Sequence, residues 1–430
     1  MNLVDGKCLE TADCAPIVDA LPQRVLRTLA SGQLDLARVL RACDRLVSSL
    51  DERRILEEMT SLGIPAPLAR RHLRDARALF CEDALRGRLA SEFGTDWAGR
   101  TSQSASGAGH VTERLAPLGV LLHIAAGNAD GLPVFSVLEG LLTGNINILK
   151  LPAAEGGISV RILQALLAID PLLAEYVYVF DYSSRDIENI EKLIRVSDAV
   201  VVWGGDAAVS ALRRLVPPNT KLIEWGHKVS FAYVTPSGVT PANLSGLADN
   251  IAETHQLLCS SCQGLFLDTD DMSAVYALCE TFLPVLETAL ARLPCPAGTQ
   301  AGATLERYTA NLAAALGGPR VFHGALACLA AWESSTLESA PGFGHAWVRR
   351  LPRCEVLSAL RLHKGHLQTA ALLCADEERD ALATLLFKAG AVRVTTGARM
   401  SRAYGADAPR DGERALRRYM KMTTVEGFES

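Results

Sequence analysis

Gly119-Val-Leu-Leu-His-Ile-Ala125 is an apolar, β-rich run of strand length, and the alternation of segments after it decides the fold. Residues 132–142 read as a helix, Asn145-Ile-Asn-Ile-Leu-Lys150 as a strand and 158–168 as a helix. The alternation continues with strands at 176–180, 198–203 and 221–224, separated by helices over 185–195 and 206–215. Strands divided by helix-length crossovers predict a parallel, doubly wound sheet, and mostly apolar strands suit burial on both faces. A second set at 231–234, 264–267, 367–374 and 391–395 predicts another α/β domain in series.

Outward from these domains the character changes. Residues 16–92 read as helical, with Leu21, Val25, Leu26 and Leu29 placed on one face. Residues 93–112, containing Ser102-Gln-Ser-Ala-Ser-Gly-Ala-Gly109, read as a polar, small-residue linker. Asp411-Gly-Glu-Arg-Ala-Leu-Arg-Arg-Tyr-Met-Lys421 reads as a short basic helix after a turn. The expected division is a helical region and linker over 1–110 packing on a nucleotide-binding α/β domain over 111–226. A second α/β domain over 227–398 and a tail over 399–430 complete it.

With 430 residues, 49% of them hydrophobic, the chain has room for two or three domains. A net charge of −5 and the lack of a basic stripe argue against nucleic acid and against attraction to anionic membranes. No apolar run reads as membrane-spanning, the 118–126 stretch being strand-sized. Met1-Asn-Leu-Val-Asp-Gly-Lys-Cys8 lacks the basic-then-apolar layout of a secretion signal. Eleven scattered cysteines, an odd number, fit free thiols in a reducing cytoplasm.

One of those thiols has a distinctive setting. Cys259 lies in His255-Gln-Leu-Leu-Cys-Ser-Ser-Cys-Gln263, just before the apolar strand Gly264-Leu-Phe-Leu-Asp268. A thiol among polar and hydroxyl residues is placed to be reached by a substrate, and as a thiolate it is a nucleophile. Glu224, at a strand end in Lys221-Leu-Ile-Glu-Trp-Gly-His-Lys228, is a candidate for proton transfer. Asn128, in Ala126-Gly-Asn-Ala-Asp130, comes after the first strand, and in doubly wound sheets ligands sit beyond such strand ends. Its amide is a candidate oxyanion donor. Lys150 ends the next strand, where it can meet a ribose or phosphate. Trp203-Gly-Gly-Asp206 turns from strand to helix and lets a pyrophosphate approach the helix start. There is no GxGxxG, and Asp206 can simply cap its helix.

In this order the five segments resemble the aldehyde dehydrogenase superfamily. The resemblance implies two doubly wound α/β domains with an N-terminal helical region. It makes Cys259 the catalytic nucleophile, Asn128 the oxyanion donor and Glu224 the catalytic carboxylate. Lys150 then touches the adenosine ribose, Trp203-Gly204-Gly205 lies under the pyrophosphate, and Glu224-Trp-Gly226-His-Lys228 matches the family's Glu-Leu-Gly-Gly-Lys at the cofactor edge. Gln256-Leu-Leu-Cys-Ser-Ser-Cys-Gln263 is similar to the Cys-Ser-Ser-Pro-Gln of LuxC-type fatty acyl-CoA reductases, with Cys262 in place of the proline. Pro117-Leu-Gly-Val-Leu-Leu-His-Ile124, Leu367-Gln-Thr369 and Asp411-Gly412 resemble segments of the same family. The resemblance implies reduction of an acyl thioester, on CoA or a carrier protein, to an aldehyde through an acyl-Cys259 intermediate. An Ala at position 153 permits NADPH, while Glu155 keeps NADH open. The resemblance also implies a cytoplasmic homo-oligomer, with Arg414–Lys421 at an interface, and an acyl-activating partner protein.

Three other readings compete. An NAD(P)-dependent aldehyde dehydrogenase would use Glu224 to activate water and release an acid. A non-catalytic nucleotide-binding partner of an acyl-activating protein would keep the fold without the chemistry. Cys259-x-x-Cys262 with His255 supplies only three metal ligands, so no metal is expected, although a regulatory disulfide is compatible with the spacing.

Overall fold

Asp5 and Gly6, both at positive φ (52° and 73°), reverse the chain between β1 (Asn2–Val4) and β2 (Lys7–Leu9). Asp-Gly suits such a hairpin turn because its two central residues need left-handed backbone. In the computed structural model the described residues are all except 62–63, 65, 96, 98–100, 107–108, 126–130, 153–156, 294–296, 403–404, 406 and 427–430. Two units emerge: Met1–Glu58, Leu73–Gly226 and Gly405–Ser430 form the first, and Met59–His72 with His227–Tyr404 the second.

Five helices come after the hairpin: α1 (Ala15–Ala30), α2 (Leu36–Ser49), α3 (Glu52–Ser61), α4 (Ala66–Phe80) and α5 (Glu82–Phe93). The side chain of Asp35 caps α2 by accepting from the Ala37 N–H at 2.9 Å. The buried stripe of α1 is Val18, Leu21, Val25 and Thr28, at spacings of three and four. Leu26 and Leu29, expected on that face, are exposed, because they fall a third of a turn or more away from it.

The linker expected over 93–112 is largely strand. β3 (Thr101–Ser106) and β4 (Gly109–Pro117) form an antiparallel sheet with β17 (Met420–Glu426) in the order β17-β4-β3. The tail is likewise not a basic helix: a 3-10 turn over Ala415–Tyr419 leads into β17. Its arginines bond within the first unit, Arg417 to the Glu92 carbonyl at 2.5 Å and Arg418 to the Glu224 carbonyl at 3.1 Å.

The main sheet of the first unit adds β5 (Val120–Ile124), β6 (Ile146–Lys150), β7 (Val177–Phe180), β8 (Ala199–Trp203) and β9 (Lys221–Trp225), in the order β2-β1-β7-β6-β5-β8-β9. β7 through β9 are parallel, and β1 joins β7 antiparallel. The crossovers are α6 (Leu132–Leu142), α7 (Ile158–Ile169), α8 (Ile187–Arg195) and α9 (Asp206–Leu215). Leu121, Leu149, Val179 and Val201 face one core with α2, α6 and α7, while Val120, Ile148, Tyr178 and Val200 face another with α1 and α8. Strand order turns back between β5 and β8, and ligands of such sheets bind beyond the strand ends at that point.

The second unit holds β10 (Val229–Val234), α10 (Pro241–Thr254), β11 (Cys262–Leu267), α11 (Met272–Ala291), α12 (Ala297–Ala315), β12 (Arg320–His323), β13 (Cys328–Trp332), β14 (His345–Arg350), α13 (Val356–Leu360), β15 (Leu367–Leu373), α14 (Arg379–Ala389) and β16 (Arg393–Thr395). Its sheet order is β12-β13-β14-β11-β10-β15-β16, parallel except for β12. A Cβ on Gly264 would lie 2.0 Å from the Trp347 ring, so only glycine lets β11 and β14 pack here. One helix, α11, has the length and apolar composition of a membrane span, although none was expected. It packs in the second core through Val275, Leu278, Phe282 and Leu286, and its Glu287 carboxylate accepts from the Leu326 N–H at 2.8 Å.

The first unit buries one carboxylate completely. Glu139 on α6 pairs with Arg88 of α5, accepts from the Tyr419 hydroxyl at 3.1 Å and lies 3.7 Å from Arg410. Burial pushes its carboxyl up, but Arg410 and Arg88 outweigh that and hold it below its ordinary value. Removing one member strands the others in a dry site. Glu139→Ala is therefore expected to cost about 3–5 kcal/mol in denaturant unfolding of the full chain; a cost under about 1 kcal/mol would show the pair to be dispensable.

Candidate active site

Cys259 lies in the second unit, on the connection between α10 and β11. The helix ends with His255 and Gln256, both left-handed (φ 47° and 62°), which swing the chain out of the helix without a glycine. Such geometry is costly in non-glycine residues and persists only where neighbours over-determine it. The Gln256 amide does so: it donates to the Cys262 and His345 carbonyls, each at 3.0 Å, and accepts from the Gly344 N–H at 3.0 Å. Gln263 donates to the Gln256 carbonyl at 3.1 Å and accepts from Ala340 at 3.0 Å, and Asn250 accepts from the Cys262 N–H at 3.1 Å.

Within that frame Leu258–Ser261 forms a turn, closed by Ser261 N–H to the Leu258 carbonyl at 2.9 Å, and Cys259 is exposed at its crest. Ser230 of β10 donates to the Cys259 carbonyl at 2.7 Å and accepts from the Thr369 N–H at 3.1 Å, tying the turn to β10 and β15. The Gln368 amide of β15 donates to the Cys259 sulfur at 3.4 Å. A donor at this point favours thiolate over thiol. Sequence reasoning noted Gln368 only within a family segment, and it did not single out Gln256, Ser230 or Asn250, whose partners are distant in the chain.

Cys262 has the opposite environment. It is fully buried at the start of β11, donates weakly to the Gly264 carbonyl at 3.3 Å, and burial pushes its thiol up to about 12. It fills core rather than pairing with the exposed Cys259, and both cysteines are free thiols. His255 is buried against Phe343, with burial lowering its basicity, so it is a neutral ring in the interior near pH 7. Among the described residues no cluster of His, Cys, Asp and Glu has the arrangement of a metal site.

The other candidates lie in the first unit, at the carboxyl ends of its parallel strands. Lys150 ends β6 and is buried; desolvation lowers its pKa, opposed by Asp181. Trp203 ends β8, stacks on Trp225 with ring centroids 5.3 Å apart, and donates to the Ser136 hydroxyl at 2.9 Å. Behind it Ser136 meets His123 at 2.6 Å and His123 meets Asn147 Oδ1 at 3.0 Å. The Asn147 amide nitrogen donates to the Asn145 carbonyl, so Oδ1 is an acceptor and His123 carries its proton on Nε2. Burial pushes His123 down to about 4, which keeps it neutral and the relay fixed.

Gly205 begins α9, and Gly226 comes directly after β9. A Cβ at either would meet nothing within 4 Å, so the protein's own packing does not require glycine there. Backbone open to space beside a helix start fits a dinucleotide pyrophosphate lying against it. Gly204 is tighter, 3.3 Å from the Ala208 methyl. Glu224, half-buried on β9, is held by the Arg213 guanidinium through both oxygens, one at 2.6 Å. That hydrogen bond, against some burial, keeps its carboxyl below the ordinary range. Asn128 lies outside the described residues, as do Ala153 and Glu155, on which the choice between NADPH and NADH turned.

Comparison with known structures places this architecture among aldehyde dehydrogenases. A salicylaldehyde dehydrogenase from Pseudomonas putida G7 matches with a TM-score of 0.78 at 15% identity, over 100% of this chain and 98% of that one. An NADP-dependent enzyme from E. coli matches with a TM-score of 0.75 at 15% identity, over 99% and 97%. The family model described as acyl-CoA reductase (LuxC) matches residues 33–422, and the chain belongs to that family. Curated relatives include long-chain acyl-protein thioester reductases from Vibrio harveyi, 27% identical over 38% of this chain and 35% of the relative, and from Photobacterium phosphoreum, 27% identical over 37% and 33%. The chain thus spans about a third of the length of these relatives.

Thiol chemistry separates the two neighbouring cysteines. In native protein at pH 8, iodoacetamide is expected to label Cys259 and leave Cys262 unmodified, with peptide mass spectrometry as the readout. Labelling of Cys262 before unfolding would contradict its burial.

Proposed function

We propose that the protein reduces an acyl thioester to the aldehyde through an acyl-Cys259 intermediate, with a nicotinamide cofactor, NADPH in preference to NADH. The observation that carries this is the exposed Cys259 thiol on a turn braced by Gln256 and Ser230, with the Gln368 N–H at its sulfur. Family membership supports the same chemistry. The names of the relatives point to protein-bound acyl groups as donors, so carrier-protein thioesters stand beside acyl-CoA, and an acyl-activating protein is the expected supplier.

In this reading the Cys259 thiolate attacks the thioester carbonyl, the Asn128 amide and the Cys259 N–H receive the oxyanion, and the carrier thiol leaves. Gln368 holds the sulfur anionic before attack. Lys150, the Trp203-Gly204-Gly205 turn and Gly226 would hold the cofactor along the strand ends. When bound, the cofactor supplies a hydride to the acyl carbon, which makes the product an aldehyde. Glu224, clamped by Arg213 with a lowered pKa, is a poor proton acceptor. That favours reduction over the aldehyde dehydrogenase alternative, in which this carboxylate would activate water.

Intact mass of the protein incubated with a panel of acyl-CoA and acyl-carrier thioesters tests the nucleophile. The wild type is expected to gain one acyl group and Cys259→Ala none; an adduct on both would remove Cys259 from the role. Adding NADPH is then expected to discharge the adduct as aldehyde, whereas acid as the product would favour the hydrolytic alternative. Gln368→Ala is expected to slow alkylation of Cys259 about tenfold near neutral pH, the loss of one charge-assisted hydrogen bond. An unchanged rate-against-pH profile would show that Gln368 does not act on the thiolate.

A further inference from the structure

Helix α12 is built inside out. Leu305, Tyr308, Leu312 and Leu316, on α12 and at its end, are 66%, 70%, 64% and 81% exposed. Spacings of three, four and four put them within one quadrant of the helix, a continuous apolar ridge. The side turned toward the unit holds Ala310, Ala313 and Ala314 instead, with Arg307 donating to the Gly324 and Ala325 carbonyls at 3.3 and 2.9 Å. Asn311 meets His323 of β12 at 2.5 Å. The helix is thus anchored by polar bonds and small residues, while its large side chains are left outside. Contiguous exposed apolar surface of this kind marks an interaction site.

We propose that the ridge is an interface between two copies of this chain, packed helix against helix across a two-fold axis. Three properties select this occupant. The ridge is convex and uncharged, so it offers no groove for an acyl chain. Over 297–316 the only charged residues are Glu306 and Arg307, and Arg307 is committed to backbone carbonyls; a membrane-surface helix carries a basic polar face, which is missing here. The 305, 308 and 312 positions match the a-d-a spacing of a helix-pair seam, which matches itself when one copy is turned antiparallel to the other. Four such side chains, with the exposed Leu326 beside the Arg307 anchor, amount to roughly 500 Å² per copy and about 1,000 Å² for the pair, the size at which a specific dimer becomes sustainable.

Sedimentation velocity and light scattering of the full chain, over low-micromolar to tens-of-micromolar concentrations, test this. The wild type is expected to be a dimer, and Leu305→Glu combined with Leu312→Glu a monomer with unchanged circular dichroism and melting behaviour at concentrations where both proteins are monomeric. Leu362→Glu, at a residue 83% exposed elsewhere in the same unit, is the control and is expected to stay dimeric. Hydrogen exchange should show the amides of 304–316 protected more strongly as wild-type concentration rises. A monomeric wild type, or a dimer that survives the double substitution, overturns the proposal. If the double variant loses native circular dichroism, the exchange measurement on the wild type decides: concentration-independent exchange over 304–316 overturns it.

Discussion

The side-chain amide of Gln256 is the constraint on which the nucleophile turn depends. A chain leaving α10 through two left-handed residues gives up the regular hydrogen bonds of a helix end. Gln256 replaces them with three of its own, reaching backbone on β11, β14 and the turn before β14. An amide can do this because it donates and accepts in one plane; a carboxylate would face two carbonyl oxygens with no proton to offer. Everything used to present Cys259 is built on that anchor: the Leu258–Ser261 turn, the Ser230 bridge and the reach of Gln368 to the sulfur. The arrangement is positional. It fixes where the sulfur sits and supplies a neutral donor to it.

The first unit solves a different problem, that of holding polar groups under a stacked tryptophan pair. Trp203 is fixed by a relay through Ser136, His123 and Asn147, and Trp225 donates to the Tyr419 hydroxyl at 3.4 Å, which in turn donates to Glu139. Arg410 lies over Phe135 and Trp203, 4.0 and 4.8 Å from the ring centroids, so the aromatic faces and the buried carboxylate share one cation. These rings line the strand ends at the switch point, and their rigidity is inherited by the turn after Trp203.

How much of the fold and site is legible in the sequence depends on how far apart the partners lie. The strands from 119 to 224 are readable because each is a local apolar run with a helix-length crossover beside it. β12, β13 and β14 are not: they are short, and residues such as His323, Trp332, His345 and Arg349 break the apolar signature. β1 and β2 are only three residues each, too short for a pattern, and the Asp5-Gly6 turn between them is the one local signal. β3 and β4 look like linker because their pairing partner arrives some 300 residues later. At the site, the thiol is visible from its neighbours and its family resemblance. Gln256 and Gln368 act on groups 89 and 109 positions away, and no local pattern announces that. Glu224 reads as a free carboxylate although Arg213, eleven positions earlier, takes it up.

The late pairing of β17 with β4 has a consequence for how the protein is made. On the ribosome, β4, β5 and α6 emerge early, yet the antiparallel partner of β4, the hydroxyl that Glu139 needs and the carbonyl that Asn145 donates to at 3.0 Å all belong to residues from 419 onward. The second unit, threaded between these segments, can complete its sheet first. The domain that begins the chain is therefore the last to close. Until translation passes Tyr419 it carries a buried acid with only part of its partners, the kind of intermediate that chaperones retain and proteases find.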